Sequence, residues 1–204
     1  MYYSKKLKKK IVNIICNSEE ELFCVRLNIG GCDLAELQEI IDLMYYAWNI
    51  ISCKRSCGYI KNYSGLLKRL FIRYNKENGM YYPFFFLLCF TSPKMKKPLE
   101  LWKLQLKAYT SWFTAWASAL KCCTDVSVTF DKVEKNSVEK YINYFCENKV
   151  MLNEIPEKEL EVINNIISSK RIFSSRGIFY RLKELVIERL KIIYLIKKKK
   201  IYIK

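Results

Sequence analysis

Met80–Thr91 reads MYYPFFFLLCFT and is the longest apolar run in the chain. A membrane-spanning helix needs about 20 apolar residues. This run is roughly half that length, and Pro83 interrupts it, so it reads as a buried β-strand, Tyr81–Phe90. Just before it, Lys76–Gly79 (KENG) has the composition of a hairpin turn, and Lys68–Tyr74 (KRLFIRY) alternates like a partner strand. The fold is read outward from this hairpin.

On the N-terminal side, Leu22–Ile29 (LFCVRLNI) alternates as a strand and ends at the turn Gly30-Gly31. Asp33, with Glu36 three residues on, opens a helix over Leu34–Ile51. There Leu34, Leu37, Ile41, Met44, Trp48 and Ile51 keep the 3.6-residue period of one apolar face. A basic, glycine-bearing connection (Lys54, Arg55, Gly58, Lys61) leads to the hairpin. Beyond it, Pro93 and Pro98 bracket a basic loop, and a helix follows from Leu99 to Lys121. Its stripe is Trp102, Leu106, Tyr109, Phe113, Trp116 and Leu120, a spacing expected of core.

Asp125–Phe130 reads as a short strand. Asn136 and Glu139 have capping-box spacing and open a helix through Tyr141 to Cys146. Further helices are expected over Pro156–Ser169 and Ile178–Ile196, separated by the basic turn Ser168–Gly177 (SSKRIFSSRG). The outline is a single α+β domain: an antiparallel sheet with helices packed mainly on one face. Residues 1–21 form a basic N-terminal segment, 22–196 the domain, and 197–204 a basic tail.

Composition narrows the function. Lys and Arg number 36 against 20 Asp and Glu, a formal charge of +16, which calls for an anionic partner such as nucleic acid or a membrane surface. The nine cysteines follow neither a secretory signal nor zinc-site spacing, so reduced thiols in a cytoplasmic protein are expected. There is no histidine. That excludes a His-based metal site, a Ser–His triad and a histidine general base.

Several segments, taken in order, resemble the replication initiators of rolling-circle plasmids from Gram-positive bacteria, the type with one tyrosine nucleophile and an HUH metal motif. The resemblance runs from Phe23 to Leu185. Phe23–Ile29 stands where the family has F-x-T-L-T, and Leu37–Ile51 resembles its following helix. Gly65–Asn75 (GLLKRLFIRYN) resembles G-x-x-R-x-L-E-x-T-Y-N, and Tyr81–Cys89 (YYPFFFLLC) resembles Y-H-P-H-F-H-V-L-L. Trp112, Trp116, Ala119 and Leu120 match W-x3-W-x2-A-L. Val138–Tyr141 (VEKY) stands at E-x-x-K-Y, and Lys170–Leu185 resembles a closing K-R-x-I-S-x-G-G-L-F-K-E-L element.

The resemblance implies an HUH-endonuclease-like fold and plasmid replication as the trade. In the family, histidines hold a divalent metal that polarises the scissile phosphate while a tyrosine attacks it. Here those histidine positions are Tyr82, Phe84 and Phe86. The general-base glutamate position is Ser137, the lysine after the tyrosine is Tyr144, and the glutamate of the hairpin's first strand is Phe71. The family's N-terminal cysteine-bearing segment is also expected to be missing. Only Tyr141, the position of the nucleophile, is retained, and a phenol with a pKa near 10 is a poor nucleophile without metal or base.

The expectation is therefore a DNA-binding replication protein with no metal cofactor and no metal-dependent nicking. Its partner is single- or double-stranded plasmid origin DNA, and the membrane is not one. The cations expected to touch phosphates are Lys61, Lys68, Arg69, Arg73, Lys140, Lys170, Arg171 and Arg176. Two alternatives are an active tyrosine nickase with a carboxylate metal site drawn from Asp125, Asp131 or Glu134, and a basic membrane-surface protein using Lys5–Lys10 and Lys197–Lys200.

Overall fold

In the computed structural model, which describes residues 2–18, 20–53, 63–91, 101–121, 125–146 and 155–179, Met80–Thr91 is the middle strand of a five-stranded antiparallel sheet. In chain order the elements are α1 (Tyr2–Cys16), β1 (Leu22–Asn28), α2 (Leu37–Ser52), β2 (Tyr63–Asn75) and β3 (Met80–Thr91). Then come α3 (Leu101–Leu120), β4 (Ser127–Lys132), α4 (Val138–Cys146), α5 (Glu157–Ser168) and β5 (Phe173–Gly177). The strands lie in the order β4-β1-β3-β2-β5, every neighbouring pair antiparallel. The protein is a single α+β domain.

The apolar run earns its central place because both faces of β3 are covered. Tyr81, Phe85, Leu87 and Cys89 point into one cluster, with α2, α3 and α5; Phe84, Phe86, Leu88 and Phe90 point into another, with α1 and α4. Burying each of these Phe and Leu side chains contributes about 1.5–3 kcal/mol. Pro83, which has no N–H to give, sits just past the last β1 pair, Asn28–Phe84. Tyr81 exchanges backbone hydrogen bonds with Cys32 (2.9 and 2.8 Å). By alternation Pro83 faces the same side, where Gly30 and Gly31 have already broken β1.

The hairpin forms as its residues require. Gly79 adopts φ +67° and donates its N–H to the Asn75 carbonyl (2.9 Å), while the Asn75 and Asn78 side chains accept from the Glu77 and Met80 amides. The strands are longer than the alternation predicts, and β4 falls two residues later than the expected Asp125–Phe130. The Asp33 carboxylate caps a turn by accepting the Glu36 N–H (2.9 Å), so the regular helix starts at Leu37 rather than Leu34.

Four expectations need correction. The basic turn Ser168–Gly177 contains β5, whose partners Arg69 to Gly65 lie on the edge of β2; pairing supplies the strand where composition signals a turn. The N-terminal segment contains α1, which packs Ile11 and Ile15 into the second cluster, so a lysine-rich stretch covers part of the other sheet face. Asn136 and Glu139 make no capping box. Asn136 accepts from the Ser137 hydroxyl (3.2 Å), and Glu139 pairs with Lys8 of α1 (3.1 Å). On α3 the expected stripe holds at Trp116 and Leu120, but Phe113 is partly exposed, and among the described side chains Ser111, Trp112 and Ala119 are buried as well. Trp112 donates to the Tyr63 hydroxyl (3.0 Å) and Trp116 to the Asn28 carbonyl (2.9 Å), and these two bonds fix which side of α3 faces the sheet.

The side chains of Trp102, Leu106 and Tyr109 lie outside the described residues, as do the Lys54–Lys61 connection, the Pro93–Pro98 loop, the expected helix beyond Phe179 and the 197–204 tail. No described helix is long and apolar enough to cross a membrane.

Phe85 touches Tyr45, Trp48 and Trp116 with ring centroids 5.2–6.0 Å apart. Phe85→Ala is expected to lower unfolding free energy by about 3–5 kcal/mol in urea melts. Exposed Tyr46→Ala should change it by about 0.5 kcal/mol or less. Equal losses at the two positions would contradict a β3 covered on both faces.

Candidate nucleic-acid interface

Residues two apart on β3 share a face, which puts Tyr82, Phe84 and Phe86 on the side carrying α1 and α4. Phe71, from β2, stacks on Phe84 (centroids 5.4 Å, planes 13° apart) and lies edge-on to Phe86 (5.7 Å). Tyr144, from α4, stacks on Phe71 (5.1 Å, 11°) and tilts over Phe86 (5.1 Å). Tyr82, Phe84, Phe86 and Phe71 therefore share one sheet face with Tyr144 packed over it, and Phe71, Phe84, Phe86 and Tyr144 form one chain of ring contacts centred on Phe71.

Their chemistry does not suit a metal. Phenylalanine rings offer no lone pair, and the Tyr82 hydroxyl accepts a hydrogen bond from the Asn78 amide (2.8 Å). No group of three or more Cys, Asp or Glu side chains able to hold an ion occurs among the described residues, and Asp125, Asp131 and Glu134 form no such group. Ser137 carries no carboxylate for a base.

Beside the aromatic cluster, the uncovered part of this face forms an open cleft of about 370 Å³. Arg26 and Asn28 of β1, Arg73 of β2, Tyr82 and Phe84 of β3, Ser127 and Thr129 of β4, and Tyr144 of α4 line it, with Asp125 at the Gly30 rim. The Arg26 guanidinium carbon is 5.8 Å from the Phe86 centroid and 5.9 Å from that of Tyr144; Arg73 is 5.3 Å from that of Tyr82. Gly31 makes room for this arrangement, since a Cβ there would come within 2.7 Å of the Tyr82 ring.

Tyr141 does not line the cleft; it is partly buried one turn earlier on α4, against the second cluster. Burial raises its pKa above the ordinary 10.0, with Cys24 and Asp131 adding and Arg26 opposing. Burial also raises Tyr144, with Arg26 and Arg73 opposing. Neither phenol ionises near neutrality.

The expected phosphate-binding cations divide between the two faces. Arg73 is exposed at the cleft, and Lys140 is exposed on α4 four residues before Tyr144, on the same side of that helix. Arg69 shares the face, but its guanidinium donates to the Phe145 carbonyl and lies 5.2 Å from the Phe71 centroid, which turns it inward.

Lys68 is a correction: one residue from Arg69, it points to the opposite face and is only 2% exposed. It sits 3.8 Å from the Phe85 centroid, 4.3 Å from Tyr45 and 5.1 Å from Trp48, where no phosphate reaches it. Lys170, Arg171 and Arg176 also belong to that side. Lys170 pairs with Asp42 of α2, the Arg171 carbonyl accepts from Tyr45 (2.7 Å), and Arg176 donates to the Ser52 carbonyl at the end of α2 (3.0 Å). Lys61 lies outside the described residues. Arg26 was absent from the sequence-based set, although strand alternation alone puts it on the face of Phe84 and Phe86.

No protein-family model, curated protein or solved structure matches the chain.

Two outcomes are expected. Burial pushes Lys68 from 10.5 down to about 7, and Arg171 and Arg176 push the same way; the three ring faces oppose them by favouring the cation. The native state then holds fewer protons than the unfolded chain above about pH 7, so stability rises with pH from there. The rise ends near pH 9, where unfolded thiols ionise while Cys24 and Cys32 are held up at about 12 and 11. Lys68→Met should flatten that rise and add about 1–4 kcal/mol near pH 6; identical pH profiles in chemical melts would contradict it. Calorimetric titration with manganese should show no stoichiometric binding, and a tight one-to-one isotherm would overturn the assignment of this face as metal-free.

Proposed function

We propose that the chain is a cytoplasmic DNA-binding protein of plasmid replication, related to rolling-circle initiators, that works without metal-dependent nicking. One observation carries the reading. Positions matched separately to the family's catalytic motifs, on β2, β3 and α4, lie side by side on one sheet face, although they are far apart in the chain. Their side chains are aromatic where the family has metal ligands, and Ser137 stands at the position of its base, so the metal-assisted cut is lost and the platform remains. Arg26, Arg73 and Lys140 supply positive charge around it.

Phosphate contacts need charge more than exact geometry, so affinity survives changes that abolish cutting. The partner is origin DNA of a plasmid-type replicon, and the half-buried rings of Tyr82 and Tyr144 beside arginines favour unpaired stretches in which bases stack.

Binding of labelled DNA should be largely indifferent to sequence and fall steeply between about 50 and 200 mM salt, with a log–log slope near −2 for three phosphate contacts to a single strand. A flat salt response, or a chain that pellets with anionic vesicles while ignoring DNA, would reject the reading.

A further inference from the structure

We infer that Arg26, Arg73 and the Tyr144 hydroxyl form a seat for phosphate groups on the open part of the sheet face, in which guanidinium charge stands where a metal-dependent enzyme would use an ion. The inference deepens the proposed function and rests on it only for the identity of the strand that carries the phosphates. None of these three residues was among the cations or nucleophiles expected from sequence, except Arg73.

The geometry begins with the sheet register. Arg26 of β1 pairs with Phe86 of β3, and Arg73 of β2 pairs with Tyr82, so the two arginines flank β3 from opposite sides. Both line the cleft, and Tyr144 lines it with them. Tyr144 reaches the cleft from α4, its ring held by stacking on Phe71. Both guanidiniums act on its hydroxyl, so the phenol stands within the field of both.

Among the described residues neither arginine makes an ion pair, whereas Lys8, Lys132 and Lys170 each have an acidic partner. A ring beneath a guanidinium limits its rotamers beforehand while its N–H groups can still turn to phosphate oxygens, and Arg26 also reaches the Cys24 thiol with a hydrogen bond. Tyr144 adds a neutral O–H donor, as its raised pKa keeps the proton in place. Asn28 and Ser127, hydrogen-bonded to each other (3.0 Å), add polar edges on the β1–β4 side. Asp125 puts negative charge at the Gly30 rim, which pushes an anion toward the Arg26–Tyr144–Arg73 side. The cleft opens to solvent, which admits a nucleotide phosphate or a stretch of strand.

Two probes separate the sources of phosphate, a short oligothymidylate and thymidine monophosphate. Each is titrated into the full chain, into R26Q/R73Q, into Y144F and Y141F, and into K170Q/R171Q on the opposite face, with thermal melts checking that each variant folds. The oligonucleotide should bind the parent chain, and R26Q/R73Q should lose roughly tenfold to a hundredfold in affinity, as expected when charged hydrogen bonds are removed. Y144F keeps the ring stack and should lose about threefold to tenfold from the missing donor. Y141F and K170Q/R171Q should bind as the parent does.

A folded R26Q/R73Q variant that binds the oligonucleotide at parental strength overturns the seat while leaving DNA binding intact. Loss confined to Y141F or K170Q/R171Q overturns it as well. If the parent binds the mononucleotide through Arg26 and Arg73 yet ignores the oligonucleotide, the seat stands and the nucleic-acid reading falls. If neither probe binds, both fall.

Discussion

β3 is paired on both edges and buried on both faces, and the remaining elements are arranged to satisfy it. Phe84 through Phe90 are all buried, a run that no amphipathic position would accept. Such a strand forces two apolar layers. α2 and α3 supply one through Trp48, Trp112 and Trp116, and α1 and α4 supply the other through Ile11, Ile142 and Phe145. The lysine-rich N-terminal helix is thus explained by what it covers. Lys9 and Lys10 stay outside and Lys8 pairs with Glu139, while Ile11 and Ile15 close the second layer.

The hairpin and α2 were legible because their signals are local: alternation, a glycine turn and a 3.6-residue stripe lie within short windows. β5 was not legible. Ser, Arg and Gly there signal a turn, and only the exposed edge of β2, about a hundred residues earlier in sequence, makes a strand of it. On α3, periodicity chose Phe113 and the family-like pattern chose Trp112. The burial of Trp112 goes with its hydrogen bond to the Tyr63 hydroxyl and the ring contact between the two, which a helical wheel does not contain.

The candidate site was half legible for a related reason. Lys68, Arg69 and Arg73 look like one basic group in sequence, yet a strand turns successive side chains to opposite faces. Arg73 reaches the cleft, Arg69 is held under Phe145, and Lys68 is enclosed by Phe85, Tyr45 and Trp48. The two-residue period would have separated them and would also have brought in Arg26. The helix geometry sets Tyr144, rather than Tyr141, toward the cleft, which spacing within α4 alone cannot decide.

The use of rings on this face has an energetic logic of its own. A carboxylate or imidazole on this face needs an ion or a hydrogen-bond partner, because leaving it buried and unsatisfied costs about 1–3 kcal/mol or more. Phe71, Phe84, Phe86 and Tyr144 make no such demand; they stack on one another and extend the second core up to the rim of the cleft. Packing of this face needs no bound ion, and the same rings give Arg26 and Arg73 surfaces to lie on. The face thus sets positive charge at the edge of an aromatic floor, and both come from the same packing.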